Sequence, residues 1–325
     1  MRILITGGSG FIGTNLIENC IKENHVIINI DVKKPRNEKY SAFWKNIDIR
    51  NSIDLEKVFV EFMPEYVIHL AARADLKGKS IGDYDTNILG VKNIIDACNK
   101  CNNIKKVIFT STMLVCKVGY YPKTESDYCP PNLYGESKMI GEKIVRENAS
   151  NMKYHWSIVR PTSIWGPWFG TTYRDFFLML IKKKYINFAG KTSTKTYGYI
   201  DNTIYQIKSI LFSEESNLKT YYLGDYEPTN LTEWASQISE ELGYKLKSVP
   251  IIMIWFASYL GEFLNLLKIK FPINKFRYKN MTTDNIIPLN ETIELAPKLP
   301  VSRLSGIKNT IKWIEDVYLV ENKGK

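Results

Sequence analysis

The chain has 325 residues, of which 44% are hydrophobic and 24% are charged, and both fractions are ordinary for a globular protein. This composition excludes a disordered or fibrous chain, and the length allows two domains or one large α/β domain. The net charge of +10 is spread along the whole sequence. Such a charge favours anionic ligands or good solubility, and we expect no nucleic acid partner.

Short apolar runs alternate with helical patterns through the first half of the sequence. Runs that are apolar on both faces are typical of strands in a parallel sheet that helices cover on both sides. We therefore predict a Rossmann-type doubly wound parallel sheet of the α/β class. The runs are Ile3–Ile5, Val26–Ile30, Tyr66–Leu70, Val107–Thr110 and Ser157–Val159. From Pro161 onward the pattern loosens, which predicts a smaller C-terminal α/β domain that supplies the substrate cleft.

A glycine-rich segment lies between the first strand and the first helix. Glycine allows the turn to adopt a positive φ and allows a pyrophosphate to approach bare backbone, and the N terminus of the following helix favours phosphate. We predict that this segment binds a dinucleotide through Gly7, Gly10, Phe11, Ile12 and Gly13.

Asp31 ends the second strand, where an acidic residue accepts hydrogen bonds from an adenosine ribose. Its carboxylate would repel a 2′-phosphate, which favours NAD over NADP. Lys33, Lys34 and Arg36 follow closely and could offset part of that repulsion, so NADP stays open as an alternative.

The remaining composition indicates a cytoplasmic protein. Five cysteines form no regular framework, which is typical of reduced thiols. Cys98 and Cys101 make a CxxC pair with no second pair after it, so we expect no metal site. The N terminus begins a strand at once and leaves no room for a signal peptide.

Residues 251–267 are apolar but contain Ser258 and Glu262, which predicts a buried or interfacial helix rather than a membrane span.

Tyr134 and Lys138 are four residues apart, and on a helix this spacing places both side chains on one face. A phenol with a pKa near 10 is a poor base at neutral pH, but a neighbouring ammonium favours the phenolate. With 20 tyrosines and 44 basic residues in the chain, such a spacing is expected by chance. The interpretation therefore depends on the surrounding sequence.

The surrounding sequence resembles the extended short-chain dehydrogenase/reductase family, and within it the NAD-dependent nucleotide-sugar epimerase/dehydratase branch. The resemblance covers most of the chain and rests on TGGSGFIG (6–13), Asp31, DIR (48–50), HLAA (69–72), Asn87, FTST (109–112), YGESK (134–138), Arg160-Pro161 and Tyr199-Ile200-Asp201. It implies an NAD-binding domain over 1–160, to which 197–212 return, and a substrate-binding domain over 161–196 and 213–325. We expect a homodimer.

The same resemblance implies roles for individual residues. Tyr134, Lys138 and Thr112 are the implied catalytic residues, with Lys138 also on the nicotinamide ribose and Thr112 on the reacting sugar oxygen. The implied cofactor contacts are Asp48 and Ile49 on adenine, Ala71 and Ala72 at the phosphates, and Leu70, Asn87, Lys138 and Pro161 elsewhere. His69 is interpreted as a packed residue at the end of a strand.

Substrate contacts are implied for Thr112, Tyr134, Ser163, Arg174, Lys195 and Arg277. Lys195 stands four residues before Tyr199, where the family usually has an arginine that binds the substrate's phosphates. Arg174 and Arg277 are placed only by lying in the expected substrate domain. For these three cations, a solvated surface charge is the alternative interpretation.

Two departures from the family limit the chemistry. Family members that dehydrate sugars have Asp and Glu after the catalytic threonine, but this chain has Met113 and Leu114. The acid or thiol used in decarboxylation or 3,5-epimerisation is missing as well. Among the reactions of the family, hydride transfer at one carbinol carbon is the one that the remaining residues can carry out.

The favoured interpretation is an NAD-dependent nucleotide-sugar 4-epimerase that oxidises C4 and returns the hydride to the other face. An NAD(P)H-dependent 4-keto reductase stays open, and so does a steroid or small-alcohol dehydrogenase, which the apolar segment 251–267 would suit. A non-catalytic dinucleotide-binding regulator would not need Tyr134, Lys138 and Thr112. The expected partner is a nucleotide-diphosphate sugar.

Overall fold

The structure is a computed structural model that describes residues 1–190, 192–266 and 275–321. The strands are β1 (Arg2–Thr6), β2 (Val26–Ile30), β3 (Trp44–Lys45), β4 (Tyr66–His69), β5 (Lys106–Thr110), β6 (His155–Pro161), β7 (Ser163–Trp165), β8 (Asn187–Ala189), β9 (Thr194–Lys195), β10 (Tyr197–Tyr199), β11 (Lys219–Leu223), β12 (Thr229–Asn230) and β13 (Ser248–Pro250). The helices are α1 (Phe11–Lys22), α2 (Ser52–Phe62), α3 (Asp85–Asn99), α4 (Leu133–Glu147), α5 (Thr171–Ile181), α6 (Ile200–Phe212), α7 (Leu231–Glu241), α8 (Ile251–Leu266), α9 (Lys275–Thr282), α10 (Asn290–Leu295), α11 (Arg303–Trp313) and α12 (Leu319–Glu321).

Seven of the described strands form one parallel sheet in the order β11-β6-β5-β4-β1-β2-β3. The central strands are apolar and buried on both faces, as Ile3, Leu4 and Ile5 of β1 show, because helices cover a doubly wound sheet on both sides. The strand order reverses between β1 and β4, and in such sheets ligands bind at the carboxyl ends of the strands near that point. The predicted Rossmann-type sheet is confirmed.

The chain divides into two compact units. The first comprises Met1–Phe169, Gly198–Gly224 and Pro288–Val301, and the second comprises Gly170–Tyr197, Asp225–Ile287 and the described residues from Ser302 onward. These limits differ from the predicted domains. Residues 161–169, 213–224 and 288–301 were predicted to lie in the substrate domain, but they belong to the first unit.

Long-range hydrogen bonds explain the difference. β11 pairs in parallel with β6, with Thr220 opposite Ile158, and so extends the sheet by one strand. Thr292 Oγ1 donates to the Tyr222 carbonyl at 2.6 Å. Segment 288–301 is therefore bound to β11, and the local sequence pattern carries no sign of either pairing.

The second unit has an aromatic core around Trp234, which is 1% exposed. The ring centroids of Tyr197 and Phe176 lie 4.9 Å and 5.1 Å from that of Trp234. Two small sheets accompany the core: β9 pairs with β12 antiparallel, and β8 pairs with β13 in parallel. Among the described helices, none is long and apolar enough to cross a membrane.

Candidate active site

The glycine-rich segment forms the turn from β1 to α1. Gly7 has a φ of +73°, and a Cβ there would lie 2.5 Å from the Ala71 amide nitrogen. A Cβ on Gly13 would lie 2.5 Å from the Gly7 carbonyl oxygen, so both positions require glycine. Gly10 precedes α1 and gives it no side-chain cap. The N–H groups of the first turn, Phe11–Gly13, therefore have no partner within the helix and favour an anionic group.

Asp31 lies beside this turn, just after β2. Its Oδ2 accepts a hydrogen bond from the Ser9 amide at 3.0 Å, and its Oδ1 accepts one from the Lys33 amide at 2.9 Å. Burial raises the pKa of the Asp31 carboxyl, and these two bonds lower it in part. Arg36 Nε donates to the Ser9 carbonyl at 3.2 Å. Asp31 and Arg36 thus both stabilise the glycine-rich turn through the backbone of Ser9, a role that the sequence pattern did not indicate.

Thr6 connects the ends of β1 and β4, where the strand order reverses. Its Oγ1 lies 2.7 Å from His69 Nδ1 and accepts a hydrogen bond from the Ala71 amide at 3.2 Å. The Leu70 amide donates to the Thr6 carbonyl at 3.0 Å. His69 is 1% exposed, and burial lowers its pKa to about 3. The His69 ring is therefore neutral at physiological pH, and it helps to position the loop at Leu70–Ala72.

Asn87 joins that loop to helix α4. Its Oδ1 accepts from the Arg73 amide at 2.8 Å, and its Nδ2 donates to the Arg73 carbonyl at 3.0 Å and to Ser137 Oγ at 2.8 Å. Ser137 Oγ in turn donates to the Tyr134 carbonyl at 2.7 Å. The side chain that was predicted to contact the cofactor thus fixes the loop after β4 against the helix that carries Tyr134.

The residues predicted at the adenine ring lie after β3. Arg50 donates to the Asp48 carboxylate, with Nη2 2.6 Å from Oδ2, and this contact lowers the pKa of Asp48. Ile49 is 3% exposed, and its carbonyl accepts a hydrogen bond from Asn93 Nδ2 at 2.9 Å. The segment is therefore held in place by its own Arg50–Asp48 contact and by Asn93 of α3.

Thr112, Tyr134 and Lys138 come together at the carboxyl end of β5. Thr112 follows β5, and its side chain is close enough to Tyr134 to lower the pKa of the phenol in part. Asn132 caps α4, because its Oδ1 accepts from the Gly135 amide at 2.9 Å. Lys138 lies one turn further along the same helix and is buried. The structure therefore brings the three predicted catalytic residues together.

Burial shifts the pKa values of the two titratable groups in opposite directions. Burial raises the pKa of Tyr134, although the nearby Thr112 side chain lowers it in part. The pKa of Lys138 is lowered to about 8, and the negative charge of Glu142 opposes this shift. At neutral pH the phenol is thus protonated and the ammonium is charged. A positive charge beside the phenol, in addition to that of the Lys138 ammonium, favours deprotonation of the phenol.

A buried ion pair supports α4 on the side of Lys138. Arg160 on β6 donates to Glu142 from Nε at 2.9 Å and from Nη2 at 2.7 Å. The Tyr128 hydroxyl donates to Glu142 Oε2 at 3.0 Å. Neither Glu142 nor Arg160 was among the predicted site residues. The repeated four-residue step from Tyr134 through Lys138 to Glu142 was the signal that could have found the acid.

Gly135 is a third residue that was not among the predicted site residues. A Cβ there would lie 2.1 Å from the Leu114 carbonyl oxygen. This close approach packs the first turn of α4 against the 3₁₀ turn Met113–Val115 that follows Thr112. Gly135 therefore helps to set the distance between Thr112 and Tyr134.

The predicted cofactor contact Pro161 and the other predicted substrate contacts are placed as follows. Pro161 ends β6 and Ser163 begins β7, both in the first unit. Arg174 lies in the second unit with its guanidinium 4.6 Å from the Tyr318 ring centroid. Lys195 also lies there, and burial lowers its pKa to about 8 against the opposing charge of Asp284. The side chain of Arg277 lies outside the described residues.

Comparison with known proteins identifies the family. Residues 3–203 match the NAD dependent epimerase/dehydratase family. The chain belongs to this family. The predicted family, an enzymatic role and NAD as the cofactor are thereby confirmed. The glycine turn, the uncapped first turn of α1 and the carboxylate of Asp31 fit that cofactor.

Relatives cover nearly the whole chain at low identity. An N-acetyl-alpha-D-glucosaminyl-diphospho-ditrans,octacis-undecaprenol 4-epimerase from Escherichia coli O157:H7 is 26% identical, over 96% of this chain and 95% of the relative. The UDP-glucose 4-epimerase of Thermotoga maritima, solved with UDP-glucose, aligns with a TM-score of 0.76 and 21% identity over 98% of this chain and all of that one. The UDP-glucuronic acid 4-epimerase of Bacillus cereus, solved with UDP-glucuronic acid and NAD, aligns with a TM-score of 0.75 and the same identity and coverage.

Asp31 should set the choice between NAD and NADP in this epimerase-family protein. We expect Asp31→Ser to weaken NAD binding and to raise NADP tolerance, because the repelling charge is gone while Lys33 and Lys34 remain. Asp31→Asn is the matched control for the turn, since an amide oxygen can still accept one of the two backbone hydrogen bonds. Fluorescence titration with both cofactors gives the preference ratio. An unchanged ratio in both variants would mean that Asp31 does not act on the ribose.

Proposed function

We propose that the protein is an NAD-dependent 4-epimerase of nucleotide-diphosphate sugars. The observation that carries this proposal is the Thr112–Tyr134–Lys138 centre followed by Met113 and Leu114. Neither of those two side chains can exchange a proton, so the carboxylates that remove water in the dehydrating members of the family have no counterpart here. Oxidation and reduction at a single carbinol carbon need only the groups that are present.

The three residues divide the proton chemistry between them. NAD, when bound, takes up a hydride from the carbinol carbon and gives it back. In its phenolate form, Tyr134 takes the proton of the C4 hydroxyl as the carbonyl forms, and the resulting phenol returns that proton when the carbonyl is reduced. The Thr112 side chain lies beside the phenol and favours the phenolate. The Lys138 ammonium stabilises the phenolate. Each complete turnover leaves the protein as it began, so no external reductant is consumed.

The cofactor balance tests the proposal directly. Purified protein is incubated with UDP-glucose, UDP-N-acetylglucosamine or UDP-glucuronate without added cofactor, and the C4 epimers are measured by NMR. The protein is then denatured and the released nucleotide is quantified. We expect retained NAD and one substrate that is epimerised. Protein that releases no cofactor and oxidises NADPH in the presence of a 4-keto sugar would establish the 4-keto reductase instead.

A sugar carried by a polyprenyl diphosphate is a second candidate substrate. The Escherichia coli relative, whose name describes such a substrate, aligns over nearly the whole length of both chains. The exposed apolar residues of α8 in the second unit, including Phe256 and Leu260, suit a lipid environment. Turnover of an undecaprenyl-diphosphate sugar in detergent, with none of any nucleotide sugar, would favour this candidate.

We expect Lys195 to contribute to binding of the substrate's diphosphate. Lys195→Ala should weaken UDP binding by about 1–3 kcal/mol, the size of a hydrogen bond to a charged group. Because the pKa of Lys195 is lowered to about 8, its ammonium is lost as the pH rises from 7 to 9, and UDP affinity should fall over that range. Lys195→Arg should bind UDP with an affinity that no longer depends on pH there, since arginine keeps its charge.

Isothermal titration calorimetry at pH 7, 8 and 9 measures these affinities. Lys57→Ala on α2 is the matched control, because Lys57 is an exposed lysine of the first unit. Equal UDP affinity in Lys195→Ala and Lys57→Ala would leave Lys195 as a surface charge.

A further inference from the structure

Among the described side chains of helix α8 in the second unit, six large apolar ones are exposed to solvent. Their exposed fractions are 56% for Ile252, 55% for Met253, 36% for Trp255, 62% for Phe256, 48% for Tyr259 and 51% for Leu260. At about 100° per residue, these positions fall within roughly 160° of the helix circumference. We call them the apolar face. Ser258, on the other side of the helix, is 1% exposed, so α8 packs on its unit with its less apolar side.

An exposed face of this kind is unusual for a helix of a globular protein. Single exposed apolar residues are common, but a contiguous patch marks a surface that contacts something. The aromatic rings within the patch also pack on one another: the Trp255 centroid lies 4.8 Å from that of Phe256 and 4.7 Å from that of Tyr259. Tryptophan and tyrosine are the side chains that prefer the boundary between water and hydrocarbon.

The sequence that follows the apolar face has an excess of positive charge. Glu262 is the one acidic residue of α8, and its Oε1 accepts a hydrogen bond from the Lys275 amide at 3.2 Å. The sequence from 263 to 283 contains no acidic residue and five basic ones, Lys268, Lys270, Lys275, Arg277 and Lys279. Lys275 Nζ lies 4.2 Å from the Tyr259 ring centroid, so this ammonium stands directly beside the apolar face.

More lysines come before α8 in the sequence. β13 leads directly into α8, and the exposed Lys245 and Lys247 come just before β13. Three further exposed lysines, 182–184, come just before β8, and β8 pairs in parallel with β13. Since both strands have three residues, these lysines lie beyond the far ends of the strands, more than about 10 Å from the helix start along the strand direction.

We propose that the apolar face of α8 inserts into the headgroup region of an anionic lipid bilayer, with the surrounding lysines against the lipid phosphates. An apolar and aromatic face followed along the chain by a segment rich in basic residues is the pattern of a helix that lies in the membrane interface. The 16 described residues of α8 reach about 24 Å, which is shorter than the hydrocarbon core of about 30 Å, so the proposal is for insertion at the interface. A protein partner would not require this excess of positive charge. The inference stands independently of the proposed 4-epimerase activity.

Vesicle cosedimentation tests the proposal on the full chain. Vesicles of phosphatidylcholine alone are compared with vesicles that also contain phosphatidylglycerol. We expect binding to the anionic vesicles and a decrease at high salt. The double variant Phe256→Ser/Leu260→Ser should bind at least about tenfold more weakly, because two large apolar side chains no longer insert. Lys279→Gln should cost roughly fivefold, the contribution of one lysine at an anionic surface.

The matched control replaces two apolar residues that are equally exposed elsewhere. Ile53→Ser/Val60→Ser on α2, at positions 78% and 67% exposed, should bind as the wild type does. Thermal unfolding verifies that each variant is folded, and should the apolar double variant unfold, Lys279→Gln decides. No binding to anionic vesicles, or equal binding by all variants, overturns the proposal. So does self-association in sedimentation equilibrium that the α8 variant abolishes without any binding to vesicles, which would assign the face to a second copy of the chain.

Discussion

Tyr134→Phe should lower kcat by roughly 10²–10⁴-fold, the contribution of a positioned proton-transfer group, while NAD binding stays close to wild type. The phenylalanine ring keeps the packing of α4 but has no hydroxyl to take the C4 proton. Steady-state turnover with the epimerised nucleotide sugar and NAD titration measure the two effects separately.

Two further variants make the Tyr134 experiment decisive. Lys138→Ala should damage both turnover and NAD affinity, because Lys138 is also the predicted contact to the nicotinamide ribose. Tyr66→Phe is the matched control, since Tyr66 begins β4 at the end of the sheet away from the site. Near-normal turnover by Tyr134→Phe would show that another group is the base.

Gly135→Ala should lower turnover by about 10²-fold, since a displacement of about 1 Å at a catalytic group has an effect of that size. A Cβ on residue 135 would lie 2.1 Å from the Leu114 carbonyl oxygen. Because this oxygen belongs to the backbone, it cannot move away by a side-chain rotation. Helix α4 and the segment after Thr112 must therefore separate. Tyr134 and Thr112 then move apart. Overpacking of this kind also costs about 1–3 kcal/mol of stability.

Gly82→Ala is the matched control for Gly135→Ala. The nearest atom to a Cβ on Gly82 is Ser80 Oγ at 3.8 Å, an ordinary contact. Both variants are compared by turnover number and by thermal unfolding. If Gly135→Ala turns over as fast as Gly82→Ala, the close approach to Leu114 does not set the catalytic geometry.

Much of the first unit could be predicted because its signals are local. A strand that is buried on both faces shows as an apolar run, and the turn at Gly7 shows as a glycine cluster between a strand and a helix. β11 could not be predicted to join the sheet, because its pairing with β6 depends on contacts between distant segments. The same holds for segment 288–301, which has no apolar run of its own.

The candidate site also has features that could be predicted from the sequence and features that could not. Tyr134 and Lys138 lie on one helix, so their spacing was enough to bring them together. The hydrogen bond from Asn87 to Ser137 joins residues of two helices, and the ion pair of Glu142 and Arg160 joins a helix to a strand. Contacts of this kind leave no periodic trace in the sequence. Still fewer site residues could be predicted in the second unit. Arg174 was predicted only from the expected substrate domain, and Lys195 only from its spacing in sequence to Tyr199.

The discontinuous first unit has a consequence for how the chain folds during synthesis. A nascent chain that ends at Phe169 has β6 but lacks β11, so the β6 edge of its sheet is open and available to other chains. Three separate stretches must leave the ribosome before this unit is complete, the last of them ending at Val301. Folding from the N terminus outward, the usual order for multidomain chains, is therefore delayed here. A gene fragment limited to residues 1–169 should aggregate when it is expressed, whereas a chain in which 170–197 is cut after folding keeps every strand of the large sheet.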